Sequence, residues 1–545
     1  MTVRVSLLAS AITAMIREDP TLFVAQASRR YLPSHVRDAL GRLAEHTPSS
    51  AVRHALALVS DRPDLSSEAT HSTSGSRSRA RRLWDLGDVP GALATLDPHD
   101  SLARRLAEEW QLLRAPRLHL PGGAPSSPGH VPLSRPPAVN SAGIDVLHFL
   151  NNSAPYTQSG YTVRTARLLE TQAAMGLTVA AATRIGYPVI TGSWRVPDSS
   201  VVGGIEYHRL LPTSLERMPV DRLAQQAVML EGLARRLSPA VLHTTTDFRN
   251  AVVVEAVAHS LGIPWVYEMR GQLEKSWVAR HEAELQAAVV RSPRYRAWHE
   301  AETEMARRAD AVLVLSHTQR EDMRARGIPL EKMSIVPNAF DMPEGIVLRG
   351  REEARAKLGL PGKRLWVGSV SAIVDYEGFE TLLRAVAKQR DKGDDVGAII
   401  VGDGVSLPGL RELARQLGVS DHVILPGRVP VEESHLWYQA LDAFAVPRKD
   451  TPVCRSVTPI KPLEAMTLGT PVMVSDLPAL REIAGEGAGM IVTPENVDAW
   501  AAALAATQPG SAEYVTMSHT ARKRAEHFSW AHNALTCSDV YARIQ

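Results

Sequence analysis

The sequence predicts an α/β protein with two tandem doubly wound domains and an all-helical N-terminal extension. From Gly143 onward, short apolar runs alternate with amphipathic helical patterns. Such alternation is typical of βαβ units in a parallel sheet that is covered on both faces. The pattern restarts after Pro337-Asn338, which predicts a second domain of the same kind. The segment before position 119 is rich in Ala, Leu and Arg and contains few β-rich runs.

The bulk composition excludes several classes of protein. The chain has 545 residues with 61 basic and 59 acidic side chains. A general nucleic-acid binder depends on a large basic excess, so we expect no nucleic-acid partner. Cys454 and Cys537 have no disulfide-framework or metal-type spacing, which fits a reducing, cytoplasmic compartment. No apolar run has the length of a transmembrane segment, and residues 5–16 fit a buried helix, with a signal peptide as the alternative.

Residues 1–118 are predicted to form the helical extension. Residues 80–96 read as two helices that are separated at Gly87 and Pro90, similar to one tetratricopeptide unit. Residues 66–78 predict a serine-rich loop, and residues 119–142 predict a Pro/Gly-rich linker. Because residues 77–82 are basic, the extension is expected to pair two chains, bind a partner or contact anionic lipid at the inner face of the membrane. The alternative is a helical cap on the first α/β domain.

The first α/β domain is predicted at residues 143–340 and the second at 341–525, with a closing helix at 526–545. Predicted strands of the first domain are at residues 144–149, 178–183, 241–244, 265–268 and 311–315, with a helix at 163–175. Those of the second domain are at 365–370, 396–401, 423–425, 443–446 and 471–475. Doubly wound sheets bind ligands at the carboxyl ends of their strands, which predicts a cleft between the two domains.

Two loops of the first domain contain candidate site residues. Ser159-Gly160 precedes a predicted helix whose free N–H groups suit a phosphate, although an ordinary βα turn looks the same. Glu268 and Arg270 stand at the end of a predicted strand, where two residues at this spacing point to the same side. They are candidates for catalysis, and a structural ion pair is the alternative.

The loop at residues 447–466 has the highest density of cationic and helix-capping residues. Pro462 suits a first helical turn, and Thr458 is predicted to cap that helix. Lys461 provides a cation for a phosphate, and Glu464 is placed to accept hydrogen bonds from ribose hydroxyls. The alternative for Glu464 is an acid that compensates the helix dipole. Residues 401–404, Val-Gly-Asp-Gly, predict a tight turn after a strand.

Several segments, in this order, resemble the group 1 glycosyltransferases of the retaining GT-B type, over about residues 143–545. The matching segments are Ser159-Gly160, residues 309–316, 336–341, 400–404, 423–427 and 462–466, and Ser529-Trp530 with Tyr541. The resemblance implies two Rossmann-like domains and sugar transfer from a nucleotide sugar with retention of the anomeric configuration. It further implies that Glu464 holds the ribose.

The chain departs from the family pattern at four positions. Ser456 replaces the first Glu of the Glu–seven residues–Glu motif, and Arg270 stands where the family has a His. Ala372 and Glu377 occupy the positions of an Arg and a Lys that clamp the diphosphate. Lys461 and Arg455 are then the nearest candidates for that clamp. The resemblance also implies donor contacts at Ser371, Arg428, Val429, Ser456, Val457 and Thr458.

The resemblance implies a UDP- or GDP-linked donor and a glycan, lipid-linked or protein acceptor. No Asp-x-Asp triplet stands out, so we expect no catalytic metal and no other cofactor. Because of the departures, the alternative is a non-catalytic scaffold of the same fold that acts as a binding or assembly partner.

Overall fold

The computed structural model describes residues 6, 7, 9, 34–45, 56, 76–118, 120, 143–157, 159–193, 195–342 and 345–545. Most of the apolar segment 5–16, of the serine-rich loop and of the linker therefore lies outside the described residues. The chain divides into two compact units. The first consists of Met1–Gln158, Thr178–Tyr267 and His281–Ala309, and the second of Ser159–Leu177, Glu268–Arg280 and Asp310–Gln545. The predicted domain boundaries stay predictions.

The helices and strands are numbered here in chain order. The helices are α1 Ser34–Glu45, α2 Ser76–Asp85, α3 Val89–Ala94, α4 Ser101–Arg114, α5 Gly160–Ala174, α6 Pro219–Leu237, α7 Phe248–Leu261, α8 Leu273–Val278, α9 Ala283–Val290, α10 Pro293–Arg308, α11 His317–Ala325, α12 Arg351–Leu358, α13 Phe379–Asp391, α14 Leu407–Gln416, α15 Ser434–Ala440, α16 Pro452–Ser456, α17 Lys461–Thr467, α18 Pro478–Ala484, α19 Val497–Ala506, α20 Ala512–Ala525 and α21 Trp530–Ile544. The strands are β1 Val146–Leu150, β2 Val179–Thr183, β3 Ser199–Val202, β4 Ile205–Arg209, β5 Val241–Thr245, β6 Trp265–Met269, β7 Ala311–Val314, β8 Met333–Ile335, β9 Leu365–Val370, β10 Val396–Val401, β11 Val423–Gly427, β12 Ala443–Val446, β13 Val472–Ser475 and β14 Gly489–Val492. None of the described helices has both the length and the apolar character that a membrane crossing requires.

The helical extension has a small apolar core of its own. Gly87 separates α2 from α3 and adopts a positive φ of 84°, which favours glycine. Asp88 caps α3, because its side chain accepts a hydrogen bond from the Gly91 N–H at 3.0 Å. Trp84, Val89 and Leu106 are among the buried residues that hold α2, α3 and α4 together. The helix break predicted at residues 87–90 is therefore found at Gly87, while Pro90 lies in the first turn of α3.

Residues 76–118 pack on the α/β part of the first unit. The Arg294 guanidinium lies over the Trp84 ring at 4.8 Å from its centroid and donates to the Trp84 carbonyl at 3.1 Å. Arg308 donates to the Pro116 carbonyl at 2.9 Å. Both arginines belong to α10, and α4 also packs against α6. These contacts agree with the alternative prediction, in which the extension is a helical cap on the first α/β domain. A partner or oligomer role for the extension stays a prediction.

The first unit contains a mainly parallel sheet. Its strands follow the order β3-β4-β2-β1-β5, in which only the β3–β4 pair, joined by Gly203-Gly204, is antiparallel. Buried side chains occupy every position of β1 and β5, so both faces of these strands are covered. β3 and β4 were not predicted, because both strands keep part of their side chains exposed and no continuous apolar run marks them.

The second unit contains a six-stranded parallel sheet in the order β11-β10-β9-β12-β13-β14. One apolar core lies on each face. β7 and β8 form a further parallel pair. The closing helix α21 packs against α5, and the Gln172 amide donates to the Tyr541 hydroxyl at 3.0 Å. The predicted α/β class with parallel sheets and helical segments is thus confirmed.

Candidate functional site

A cavity of about 370 Å³ opens in the second unit. Its wall combines the first turn of α5, the residue after β6, the loops after β8, β9 and β12, and the start of α17. Of these strands, β9 and β12 are parallel neighbours in the six-stranded sheet, so their carboxyl ends lie at the same edge, where ligands of such sheets bind. The size falls in the range of ordinary ligand pockets.

The α5 start contributes Gly160 and Tyr161 to the cavity wall. Ser159 lies just outside the wall and caps the helix. Its hydroxyl accepts from the Thr162 N–H at 3.3 Å, and the Thr162 hydroxyl accepts from the Ser159 N–H at 2.9 Å. This capping box satisfies two backbone donors, so Ser159 acts on the site by fixing where α5 begins.

A buried ion cluster lies behind this wall. The Glu268 carboxylate is fully buried and accepts from two arginines: Arg164 Nη2 at 2.6 Å to Oε1, and Arg270 Nε at 2.7 Å to Oε2. Both guanidiniums line the cavity, whereas Glu268 does not. Burial lowers the pKa of Arg164, and the Glu268 charge acts in the opposite direction. The predicted pair is therefore a triad, in which the carboxylate positions two cations.

Arg164 also organises the loop after β8. It donates to the carbonyls of Val336 at 2.7 Å and Pro337 at 2.6 Å. The neighbouring Asn338 amide donates to the Thr458 carbonyl at 2.7 Å. The loop after β8 is thus bonded on one side to α5 and on the other to the loop before α17.

A second ion pair lies in the loops after β9 and β12. The Arg448 guanidinium donates to Glu377 through Nη2 at 2.8 Å and Nε at 3.2 Å, and to the Val457 carbonyl through Nη1 at 3.0 Å. Burial lowers the pKa of Arg448, whereas the negative charge of Glu377 raises it. The pKa of Arg448 is raised overall, so its side chain stays charged. Arg448 and Glu377 both line the cavity. At the position where the resemblance implied a lysine, the chain has Glu377, and this carboxylate is paired with Arg448.

The loop before α17 differs from the prediction in one respect. Thr458 does not cap α17, since Ile460 occupies the N-cap without a side-chain hydrogen bond, and the predicted Thr458 cap is wrong. Within the described residues, the Thr458 hydroxyl is buried at the cavity wall without a hydrogen-bond partner. Pro462 lies in the first turn of α17 as predicted. Lys461 lines the cavity, and its Nζ is 2.8 Å from Oε1 of Glu464, one turn further along α17.

The other predicted site residues fall into two groups. Ser371 and Val457 line the cavity, and the turn at Gly402 approaches the Ser371 carbonyl so closely that an added Cβ would lie 1.8 Å from it. Four residues lie outside the lining: Arg428, Val429, Arg455 and Ser456. Arg455 is exposed and bound to Asp450 at 2.5 Å, so in this structure it is no part of a clamp.

The lining residues that were not singled out from the sequence include Tyr161, Arg164, Asn338, Tyr376 and Arg448. A signal existed for Arg164, because it is one turn beyond Gly160 on the same helix face. Arg448 was part of the cationic loop but was not singled out.

Comparison with known proteins adds two family matches. Residues 350–524 match the glycosyl transferases group 1 family, and residues 159–339 match the glycosyl transferase 4-like domain. The D-inositol 3-phosphate glycosyltransferase of Corynebacterium urealyticum is 29% identical over 204 residues, which are 36% of this chain and 47% of that protein. The chain spans about half the length of the curated relatives that it matches.

Two solved structures show the same fold. The sucrose-phosphate synthase of Thermosynechococcus elongatus has a TM-score of 0.58 and 20% identity, over 73% of this chain and 98% of that one. Anabaena HepE, solved in complex with UDP, has a TM-score of 0.56 and 16% identity, over 73% of this chain and 100% of that one. The two α/β regions thus have the architecture that the GT-B resemblance implied.

Proposed function

We propose that this chain, a member of the group 1 glycosyltransferase family, transfers a sugar from a nucleotide-sugar donor to a hydroxyl of an acceptor. The observation that carries the proposal is the convergence of four cationic side chains on one cavity of ligand size. These are Arg164, Arg270, Arg448 and Lys461.

The charge pattern suits a bound diphosphate. Each cation is held by a carboxylate, so its position is set before a ligand arrives. Preorganised charges stabilise a developing anion without the cost of reorganising during the reaction. Arg164, Arg270 and Arg448 are almost fully buried. Burial makes the attraction between these cations and a bound anion stronger than the same attraction would be in water.

The reaction that we propose places the cations at the leaving group. The acceptor hydroxyl forms a bond to the anomeric carbon while the bond between that carbon and the β-phosphate oxygen breaks. The electron pair and the negative charge pass to the diphosphate, and the hydroxyl proton leaves to the diphosphate or to solvent. Lys461 contacts a phosphate in this arrangement, and Glu464 accepts hydrogen bonds from the ribose.

The finer features of the proposal follow from the family resemblance. We propose transfer with retention of configuration, without a metal, from a UDP- or GDP-linked sugar, on the cytoplasmic side of the membrane. The acceptor is a glycan, a lipid-linked sugar or a protein. The names of the curated relatives make D-inositol 3-phosphate a further acceptor to test.

A nucleotide-release assay tests the function. The full chain is incubated with a panel of UDP- and GDP-sugars, with and without acceptors, and free nucleoside diphosphate is measured. We expect release with at least one donor and a loss of at least about tenfold in Lys461→Gln, the effect of removing one charge-assisted contact. Lys388→Gln is the matched control, since Lys388 pairs with Asp498 outside the cavity wall.

The alternative, a non-catalytic scaffold, makes a different prediction. A chain that binds nucleoside diphosphate but releases none from any donor would be a binding protein. A chain that neither binds nucleoside diphosphate nor releases it would overturn the proposed function altogether.

A further inference from the structure

Two tyrosines in the cavity have no part in the charge pattern described above. Tyr161 follows the first residue of α5, and Tyr376 lies in the loop after β9. Both line the cavity, and the two residues remain 49% and 36% exposed. Large side chains that stay half exposed in a cavity offer surface for a ligand to cover.

The backbone of each tyrosine is fixed, although its ring is exposed. The Tyr161 carbonyl accepts from Arg270 Nη1 at 3.1 Å and from the Thr165 hydroxyl at 2.9 Å. The Tyr376 carbonyl accepts from the Lys449 N–H at 3.0 Å. The Tyr376 ring also has the Arg448 guanidinium at 5.9 Å from its centroid. The backbone that carries each ring is therefore held in place before a ligand arrives, which lowers the entropy that binding costs.

The two phenols line the same cavity and interact electrostatically. Burial is the main cause that raises the pKa of Tyr376, and the Glu377 charge and the Tyr161 phenol add to this increase. Within the described residues neither phenol oxygen makes a hydrogen bond to the protein. Together with the Thr458 hydroxyl, which has no hydrogen-bond partner within the described residues, the two tyrosines bring two aromatic faces and three hydroxyl groups to the cavity wall.

This combination is the chemistry that a sugar ring requires. A pyranose has apolar C–H faces that pack on aromatic rings and hydroxyl groups that need hydrogen-bond partners, and tyrosine supplies both an apolar body and a polar tip. We propose that Tyr161 and Tyr376 form a sugar-ring subsite of the cavity, in which the ring packs on the two phenols and one sugar hydroxyl bonds to Thr458. This inference rests on the proposed function. The new element is the identity of the side chains that recognise the sugar.

Binding measurements on the full chain test this subsite. Calorimetry compares a nucleoside diphosphate, UDP or GDP, with the corresponding UDP-glucose or GDP-mannose. We expect Tyr161→Ala and Tyr376→Ala to weaken binding of the nucleotide sugar by about 5- to 10-fold, from the usual strength of an aromatic contact, and to leave nucleoside diphosphate binding unchanged. Tyr161→Phe and Tyr376→Phe keep the ring face and should lose less.

A control variant and a kinetic readout make the outcomes distinct. Val405→Ala removes an apolar side chain that is 87% exposed outside the cavity wall, and it should change nothing. If the ring belongs to the acceptor, the tyrosine variants instead raise the acceptor KM by a similar factor and leave donor binding intact.

Two results would overturn the subsite. Equal weakening of nucleoside diphosphate and nucleotide sugar would mean that the tyrosines stack on the base. Unchanged affinities and KM values in folded alanine variants would mean that neither ring contacts a ligand. Both results leave nucleotide binding by the unaltered chain in place. A chain that binds no nucleoside diphosphate at all would overturn the proposed function itself, and the subsite with it.

Discussion

Replacing Glu268 with glutamine removes the carboxylate charge that two buried guanidiniums share. Glu268 is fully buried, and the side chains of Arg164 and Arg270 are 2% and 3% exposed. Glutamine has nearly the same shape, so the substitution changes charge and hydrogen bonding without opening a cavity. It therefore separates a structural role of this carboxylate from a role in the reaction.

The expected cost follows from the contacts. Oε1 of Glu268 accepts twice from Arg164, at 2.9 and 2.6 Å, and Oε2 accepts from Arg270 Nε at 2.7 Å and lies 2.6 Å from Arg270 Nη2. A glutamine keeps one oxygen but turns an NH₂ group toward the other guanidinium. At least two charge-assisted bonds are lost, and breaking a buried ion pair costs about 3–5 kcal/mol. We expect a decrease of that size in the free energy of unfolding.

Urea denaturation followed by circular dichroism measures this change. Glu412→Gln is the matched control, because Glu412 forms an exposed pair with Arg415 at 2.5 Å and its loss should have no measurable effect. Turnover is measured on both variants well below the unfolding midpoint. If Glu268→Gln retained its stability to within about 1 kcal/mol but lost turnover more than about a hundredfold, the structural reasoning would be refuted. Glu268 would then be a catalytic group.

Four further outcomes are expected. Glu464→Ala should weaken binding of nucleoside diphosphate by about 1–3 kcal/mol in calorimetry, and unchanged affinity would remove the ribose assignment. Arg448→Ala should weaken the same binding by at least about tenfold. Arg428 lies outside the cavity wall, so Arg428→Ala should leave this binding unchanged. Equal effects of the two substitutions would contradict the assignment of the cavity as the donor site. Trp84→Ala removes a buried indole and should cost about 3–5 kcal/mol and open residues 76–118 to trypsin, so an unaltered cleavage pattern would argue against the docked extension. Excess EDTA should leave nucleotide release unchanged, and activity that Mg²⁺ or Mn²⁺ restores would contradict a metal-independent reaction.

Most strands of both α/β regions were predictable, because each is a short apolar run bounded by turn residues. The runs predicted at residues 365–370, 396–401 and 443–446 coincide with β9, β10 and β12. A strand that is buried on both faces needs apolar residues at every position, and this requirement is local. β3, β4, β8 and β14 were missed, since these strands keep part of their side chains exposed and carry no such run.

Part of the candidate site could also be predicted, because it depends on residues that are close together in the sequence. Lys461 lines the cavity and Glu464 lies one turn beyond it, because Pro462 starts α17 where the sequence placed it. Gly160 lines the cavity, because Ser159 and Thr162 fix the start of α5 in a reciprocal cap. Both features depend on residues within one turn of each other, which sequence patterns report reliably.

The cations of the cavity were decided by the tertiary structure. Glu377 and Arg448 are 71 positions apart, and Arg164 and Glu268 are 104 apart. Each pair forms only because parallel strands bring distant loops to the same edge of a sheet, and no spacing along the chain encodes that encounter. The same geometry leaves Arg455 outside the wall, although it is only seven positions from Arg448. The sequence by itself thus determined the two α/β regions and the start of α17, whereas the packing of loops determined which charges meet, since long-range contacts depend on the whole fold.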